Sequence, residues 1–242
     1  MEFSTASHQN LNAGVKMLVY GPAGHGKTVL AATLPNPVLL SAEAGTLSLG
    51  RANLERIYGV GNPTITYDMP LIIIHNLNDL IEAYQWLNLS QEAKRFQSVG
   101  IDSISEIAEV VLNNAKKGAK DPRMAYGTMI EQMTDTIRKL RDLAGKHVYM
   151  SAKMGMQKDE ATQITKYAPD MPGNKLGQAM PYFPDIVLAL RLGKNPDGST
   201  FRYLQTQPDL QYDAKDRSGS LALMEYPHLG AIIDKAVHGI QL

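Results

Sequence analysis

The sequence predicts an α/β fold: a mainly parallel sheet flanked by helices, with a C-terminal antiparallel β hairpin. Three observations carry this. Short apolar and β-branched runs alternate with helix-patterned segments, which implies strands joined by crossover helices. A glycine-rich turn, GPAGHGKT, follows the first of those runs and precedes a helix-forming stretch. After residue 180 the alternation stops, and DIVLALRLGKNPDGSTFRYLQTQ reads as two strands around an Asn-Pro-Asp-Gly turn.

The elements follow in order. Lys16 to Tyr20, KMLVY, is a strand that ends at the Gly21-Pro22 turn signal. VLAATL, after Thr28, suits a helix stopped by Pro35 and Pro37. Further strands are expected in PVLLSAE (Pro37 to Glu43), PLIIIHN (Pro70 to Asn76), FQSVGIDS (Phe96 to Ser103) and KHVYMSAK (Lys146 to Lys153). LNDLIEAYQWLNLSQEAKRF reads as a helix capped by Asn78 or Asp79. In MIEQMTDTIRKLRDLAG, Met129, Met133, Ile137, Leu140 and Leu143 share one helical face. Met154 to Leu176 has no persistent period and is expected to be a long irregular loop. No linker or repeat divides the chain, so one domain over 1–242 is expected, with 1–14 as a flexible N-terminus.

The chain has 242 residues, 44% hydrophobic and 20% charged, with zero formal net charge. That excludes a polybasic nucleic-acid binder but leaves room for a local basic patch. It has no cysteine, so disulfides, thiolate metal sites and cysteine nucleophiles are excluded. The N-terminus lacks a secretory pattern and the apolar runs are too short to span a bilayer, so a cytoplasmic protein with no membrane partner is expected.

Gly21-Pro22-Ala23-Gly24-His25-Gly26-Lys27-Thr28 is a G-x-x-x-x-G-K-T phosphate loop in its strand–loop–helix context, continued by Val29. Gly21, Gly24 and Gly26 let the backbone turn and offer bare N–H groups to phosphate oxygens. The following helix adds its positive end. Lys27 places a charge on the β and γ phosphates, and the Thr28 hydroxyl is a ligand for Mg²⁺.

Asp102 ends a strand where a second acid would hold that metal through water. Ser103 follows it, as a water-positioning group or a plain turn serine. Glu43 ends the strand after the phosphate loop, where a carboxylate can polarise attacking water or lie free on the surface. Lys153 ends a later strand as a γ-phosphate sensor or a solvated lysine. Two basic segments are candidates for a nucleic-acid backbone: Lys116, Lys117, Lys120 and Arg123, and then Lys158, Lys166, Lys175 with the aromatic Tyr167. Each is equally readable as a solvated surface. Lys215 and Arg217 stand two apart, so in an extended segment they point the same way and could reach a neighbour's phosphate. The six histidines show no metal-ligand spacing.

The order GPAGHGKT, SAEAG, GIDS, YMSAK, PGNK, PDIVLALRL resembles RecA-like P-loop ATPases. The short core and closing AKDRSG look most like phage-encoded single-strand annealing ATPases related to RecA and KaiC. The resemblance implies Glu43 as base, Asp102 as metal acid, Lys153 at the sensor position, and DNA loops near 116–128 and 155–175. It implies Lys215 and Arg217 acting in trans. ATP and Mg²⁺ would be the ligands. Single-stranded DNA, further copies in a filament or ring, and a single-strand-binding protein would be the partners, in the cytoplasm of a phage-infected bacterium. The RecA sensor is glutamine, where this chain has Lys153. The expected function is ATP-dependent DNA recombination or annealing. The alternatives are a P-loop small-molecule kinase and a nucleotide-dependent assembly switch without DNA binding.

Overall fold

The computed structural model describes residues 14–43, 45–119, 121–158 and 162–239. The expected flexible segment 1–14 therefore lies, except for Gly14, outside the described residues, as does Lys120. The strands are β1 (Lys16–Tyr20), β2 (Pro37–Ser41), β3 (Leu71–Ile73), β4 (Ser98–Asp102) and β5 (His147–Lys158). They continue as β6 (Thr165–Asp170), β7 (Ile186–Lys194), β8 (Thr200–Gln205), β9 (Lys215–Asp216) and β10 (Met224–Glu225). The helices are α1 (Lys27–Leu30), α2 (Arg51–Tyr58), α3 (Leu77–Leu89), α4 (Ile104–Gly118), α5 (Pro122–Arg141), α6 (Asn174–Ala179) and α7 (Leu229–His238).

One ten-stranded sheet has the order β10-β8-β7-β1-β5-β4-β2-β3, with β6 paired to β5 and β9 to β7. From β7 to β3 the neighbours run parallel. β8, β10, β6 and β9 are antiparallel to their partners. This is the α/β architecture the sequence predicts, a mainly parallel sheet with antiparallel C-terminal strands. Every residue of β1, β2 and β4 is buried, as it must be in parallel strands covered on both faces. Successive side chains split between two cores. Leu18, Leu40, Ile101 and Met150 meet α3, α4 and α5 on one face. Met17, Val19, Leu39 and Tyr149 meet Leu30 and α7 on the other.

The predicted face of α5 is correct: Met129, Met133, Ile137 and Leu140 are fully buried. Met133→Ala is expected to lower unfolding free energy by roughly 2–5 kcal/mol in urea titrations. A loss under about 1 kcal/mol would mean the site collapses without a cavity.

Four sequence expectations change. The helix after the phosphate loop is a single turn, α1, followed by a 3-10 turn at Ala31–Thr33. There the Thr33 hydroxyl donates to Leu30 O, and the chain must reach β2 at Pro37. So short a helix adds little dipole to the phosphate loop. The cap of α3 is Asn76, which accepts from the N–H groups of Asn78 and Asp79 at 2.8 and 3.2 Å; Asp79 instead reaches back to His75 N–H. The expected irregular stretch from Met154 to Leu176 is largely a β hairpin, because β5 runs on to Lys158 and β6 returns along it. The 116–128 segment is no loop: Lys116 and Lys117 close α4. Arg123 lies in the first turn of α5, capped by Asp121.

Lys16 is buried within β1, where its ammonium donates to Leu143 O and Lys146 O at 2.8 and 2.6 Å. Burial pushes its pKa down from 10.5 to about 8, against the pull of Asp185 and Asp142. Between those two values the unfolded chain holds a proton that the folded chain has released, so stability rises with pH there. Burial raises the phenols of Tyr20 and Tyr149, which reverses the trend above their ordinary value of 10.0. Urea midpoints are thus expected to rise from pH 8 to pH 10, and less so in Lys16→Met. An equal rise in both proteins would remove Lys16 as a cause.

Candidate nucleotide-binding site

β1 carries the chain to Gly21, where a Cβ would lie 3.0 Å from Leu190 O. Only glycine fits between the loop and β7. Gly24 and Gly26 hold φ of 75° and 101°, the left-handed region that glycine adopts without strain. All residues from Gly21 to Val29 line a cavity of about 1140 Å³, together with Glu43, Asp102 and Lys153. The expected phosphate loop is one contiguous wall: Gly21, Pro22, Ala23, Gly24, His25, Gly26, Lys27, Thr28 and Val29.

Lys27 Nζ donates to Gly21 O and Pro22 O at 2.8 and 2.9 Å. Burial lowers its pKa, while Asp102 and Glu43 pull it back up. Tyr149 Oη donates to Lys27 O at 2.7 Å and pins the start of α1 from inside the sheet. His25 Nδ1 is buried and has no hydrogen-bond partner among the described residues.

The acids come from adjacent strands. β4 pairs with β2 so that Asp102 lies beside Ser41, two residues before Glu43. Asp102 is 2% exposed. One of its oxygens, Oδ1, accepts from the Ser151 hydroxyl. The other has no partner among the described residues. Ser103 does two jobs: its hydroxyl accepts from Glu106 N–H as the cap of α4, and donates to Glu43 Oε1 at 2.6 Å. Glu43 is therefore aimed rather than free on the surface.

Lys153 lines the same cavity, but its ammonium bridges Glu106 and Glu109 on α4 at 2.9 and 2.8 Å. Burial pulls its pKa down; the two glutamates outweigh that and leave it raised. Lys215 and Arg217 do not join the site within the chain. β9 pairs with the start of β7, beside Asp185, whereas the phosphate loop follows the end of β1. Lys215 Nζ is committed to Pro181 O and Pro184 O at 2.5 and 2.6 Å. Burial, helped by Arg217, lowers its pKa to about 8. Arg217 is exposed and only loosely paired with Asp185, at 3.5 Å.

Lys158 and Lys166 are exposed on the β5–β6 hairpin but on opposite faces, because Gln157 pairs with Lys166 and Lys158 with Thr165. Tyr167 is not a free stacking surface: its ring stacks on Tyr212 at 4.7 Å, with Arg191 on that ring in turn. Lys116 sits 5.4 Å over the Tyr126 ring. That ring in turn lies 3.5 Å from where a Cβ on Gly173 would be, which links the α4–α5 corner to the approach of α6 and Lys175.

Sequence reasoning missed Ser151, Tyr58, Tyr226 and Arg202, all beside the loop or its acids. Only Arg202 left a signal. It precedes Leu204 by two residues in a strand whose Leu204 is an obvious core position, which assigns both to one face.

A glycine-rich phosphate loop on a buried parallel strand, with acids presented by neighbouring strands, defines a P-loop nucleotide-binding protein. More narrowly, the chain belongs to the AAA_24 family, whose model, described as an AAA domain, matches residues 13–218. Among solved structures, the chain is similar to the KaiC-like protein PH0186 from the hyperthermophilic archaeon Pyrococcus horikoshii OT3. That likeness is 16% identity over 81% of this chain and 82% of the other, with a TM-score of 0.46. No curated protein matches. Among the described residues, no helix is long and apolar enough to cross a membrane, and no group of three or more His, Asp or Glu forms a metal cluster.

Proposed function

We propose that the protein is an ATPase of phage DNA recombination or annealing that binds single-stranded DNA and hydrolyses ATP between subunits of a filament or ring. The observation that carries the hydrolytic part is the Ser103–Glu43 hydrogen bond. It holds a carboxylate on the wall of the phosphate-loop cavity, beside a buried acid and the half-buried Lys27.

In this reading the loop N–H groups and Lys27 hold the phosphates, and Glu43 takes a proton from the attacking water. Mg²⁺ would neutralise charge on the phosphates as it is displaced onto the leaving group. Thr28 and the unpartnered oxygen of Asp102 fit that ion, since Mg²⁺ takes few protein oxygens and keeps its waters. Arg217, exposed and weakly paired, is the better placed of the trans pair to meet a neighbour's phosphate; Lys215 would first have to leave two carbonyls. DNA would run along the α4–α5 corner with Lys116, Lys117 and Arg123, past the start of α6 with Lys175, and along the exposed β5–β6 hairpin that carries Lys158 and Lys166, with a single-strand-binding protein delivering it. Charge at that surface supports the reading, because backbone neutralisation supplies most sequence-independent affinity.

The test is ATP hydrolysis with and without single-stranded DNA, at low and moderate salt. Stimulation that fades with salt is expected. Hydrolysis indifferent to DNA at every salt would overturn the DNA part and leave an ATPase of another use.

A further inference from the structure

We propose that Arg202, on the C-terminal hairpin, is a second cation for the nucleotide phosphates, supplied by the same chain that supplies the phosphate loop. The proposal rests on the nucleotide reading above and deepens it.

Three observations converge. The first is position. β8 pairs with β7 so that Leu204 faces Leu190 and Arg202 faces Leu192. Leu204 is buried in the same core as Leu30 of α1. Side chains two apart on a strand share a face, so Arg202 extends the wall that packs on α1 and overhangs the loop. A Cβ on Gly26 would lie 3.9 Å from Arg202 Nε. The second is availability. Arg202 makes no hydrogen bond or ion pair with any described residue. Of the other cations on this cavity, Lys27 donates to loop carbonyls, Lys153 bridges two glutamates, and Arg56 donates to Asn53. The third is lining. Arg202 and the Tyr58 phenol both line the phosphate-loop cavity, and the guanidinium charge opposes the burial that raises that phenol's pKa.

An unpaired guanidinium about one contact distance from where a Cβ on Gly26, the last glycine of the phosphate loop, would lie is placed to donate in a fork to phosphate oxygens. Lys215 and Arg217, by contrast, lie at the far end of the sheet.

The experiment is calorimetric titration of wild type, Arg202→Ala, Arg202→Lys and Lys27→Ala with ATP, ADP and adenosine in Mg²⁺ buffer. Arg202→Ala is expected to weaken ATP and ADP at least about 10-fold, with adenosine unchanged and Arg202→Lys intermediate; tenfold is about 1.4 kcal/mol. Arg202 is exposed, and equal thermal midpoints for the variants would show that the fold is kept. Unchanged ATP and ADP affinity in Arg202→Ala would overturn the proposal. So would an equal loss for adenosine, which would assign the side chain to the base or ribose. Failure of the underlying reading would look different: Lys27→Ala would then bind ATP as wild type does.

Discussion

Lys27→Ala is expected to reduce ATP hydrolysis by at least about 100-fold, the scale of removing one preorganised donor from a site of developing charge. The size follows from where the ammonium sits. It is half-buried, its pKa already lowered by that burial, and it is held 2.8 and 2.9 Å from two carbonyls of the loop it serves. A charge kept in a low-dielectric wall interacts with phosphate far more strongly than one in water. Lys153 cannot replace it, since that ammonium is tied to Glu106 and Glu109. The variant should still fold, because its two lost hydrogen bonds are to carbonyls at the cavity rim. A circular-dichroism melt separates loss of function from loss of structure. Hydrolysis within a few-fold of wild type would remove the phosphate-loop assignment itself.

The phosphate loop was legible because all its parts are local. Glycines, lysine and threonine sit within one turn, and the apolar run before them needs no tertiary contact to be recognised as a strand. Asp102 and Glu43 were legible for a related reason: each closes an apolar run, and parallel strands present their ends on one edge of the sheet. The face of α5 was legible from period. What failed was the structure that leaves the core. The β5–β6 hairpin from Met154 to Asp170 projects beyond the helices, so most of its residues are exposed or half-buried. With neither face sealed, no apolar alternation forms to be seen. The start of α5 did leave a signal, Asp121 before Pro122 with its carboxylate accepting from Arg123 N–H, but basic residues on both sides made the segment look like a loop. Ser151 and Tyr58 left none. Their roles exist only because β5 lies against β4 and α2 faces the loop, and pairing at that distance is not written in either segment alone.

Glu43→Gln is expected to lower hydrolysis by roughly 100- to 10,000-fold, the usual contribution of a general base, while ATP affinity stays within about threefold. The two outcomes separate because the change keeps the shape and the Ser103 hydrogen bond: an amide oxygen still accepts from that hydroxyl. What it removes is the ability to take a proton. The structure gives few substitutes. Asp102 is the other acid on the cavity among the described residues, and it is buried with one oxygen already accepting from Ser151. Glu106 and Glu109 are close by, but both are bound by the Lys153 ammonium and neither lines the cavity. Ser103→Ala provides the graded control. It leaves the carboxylate but not its aim, so a smaller loss is expected, with rate falling and affinity kept. Glu43→Gln hydrolysing at the wild-type rate would exclude this carboxylate as base. Equal loss of ATP binding in Glu43→Gln would instead make Glu43 part of the binding wall, because a base that acts only in the transition state leaves ground-state affinity untouched.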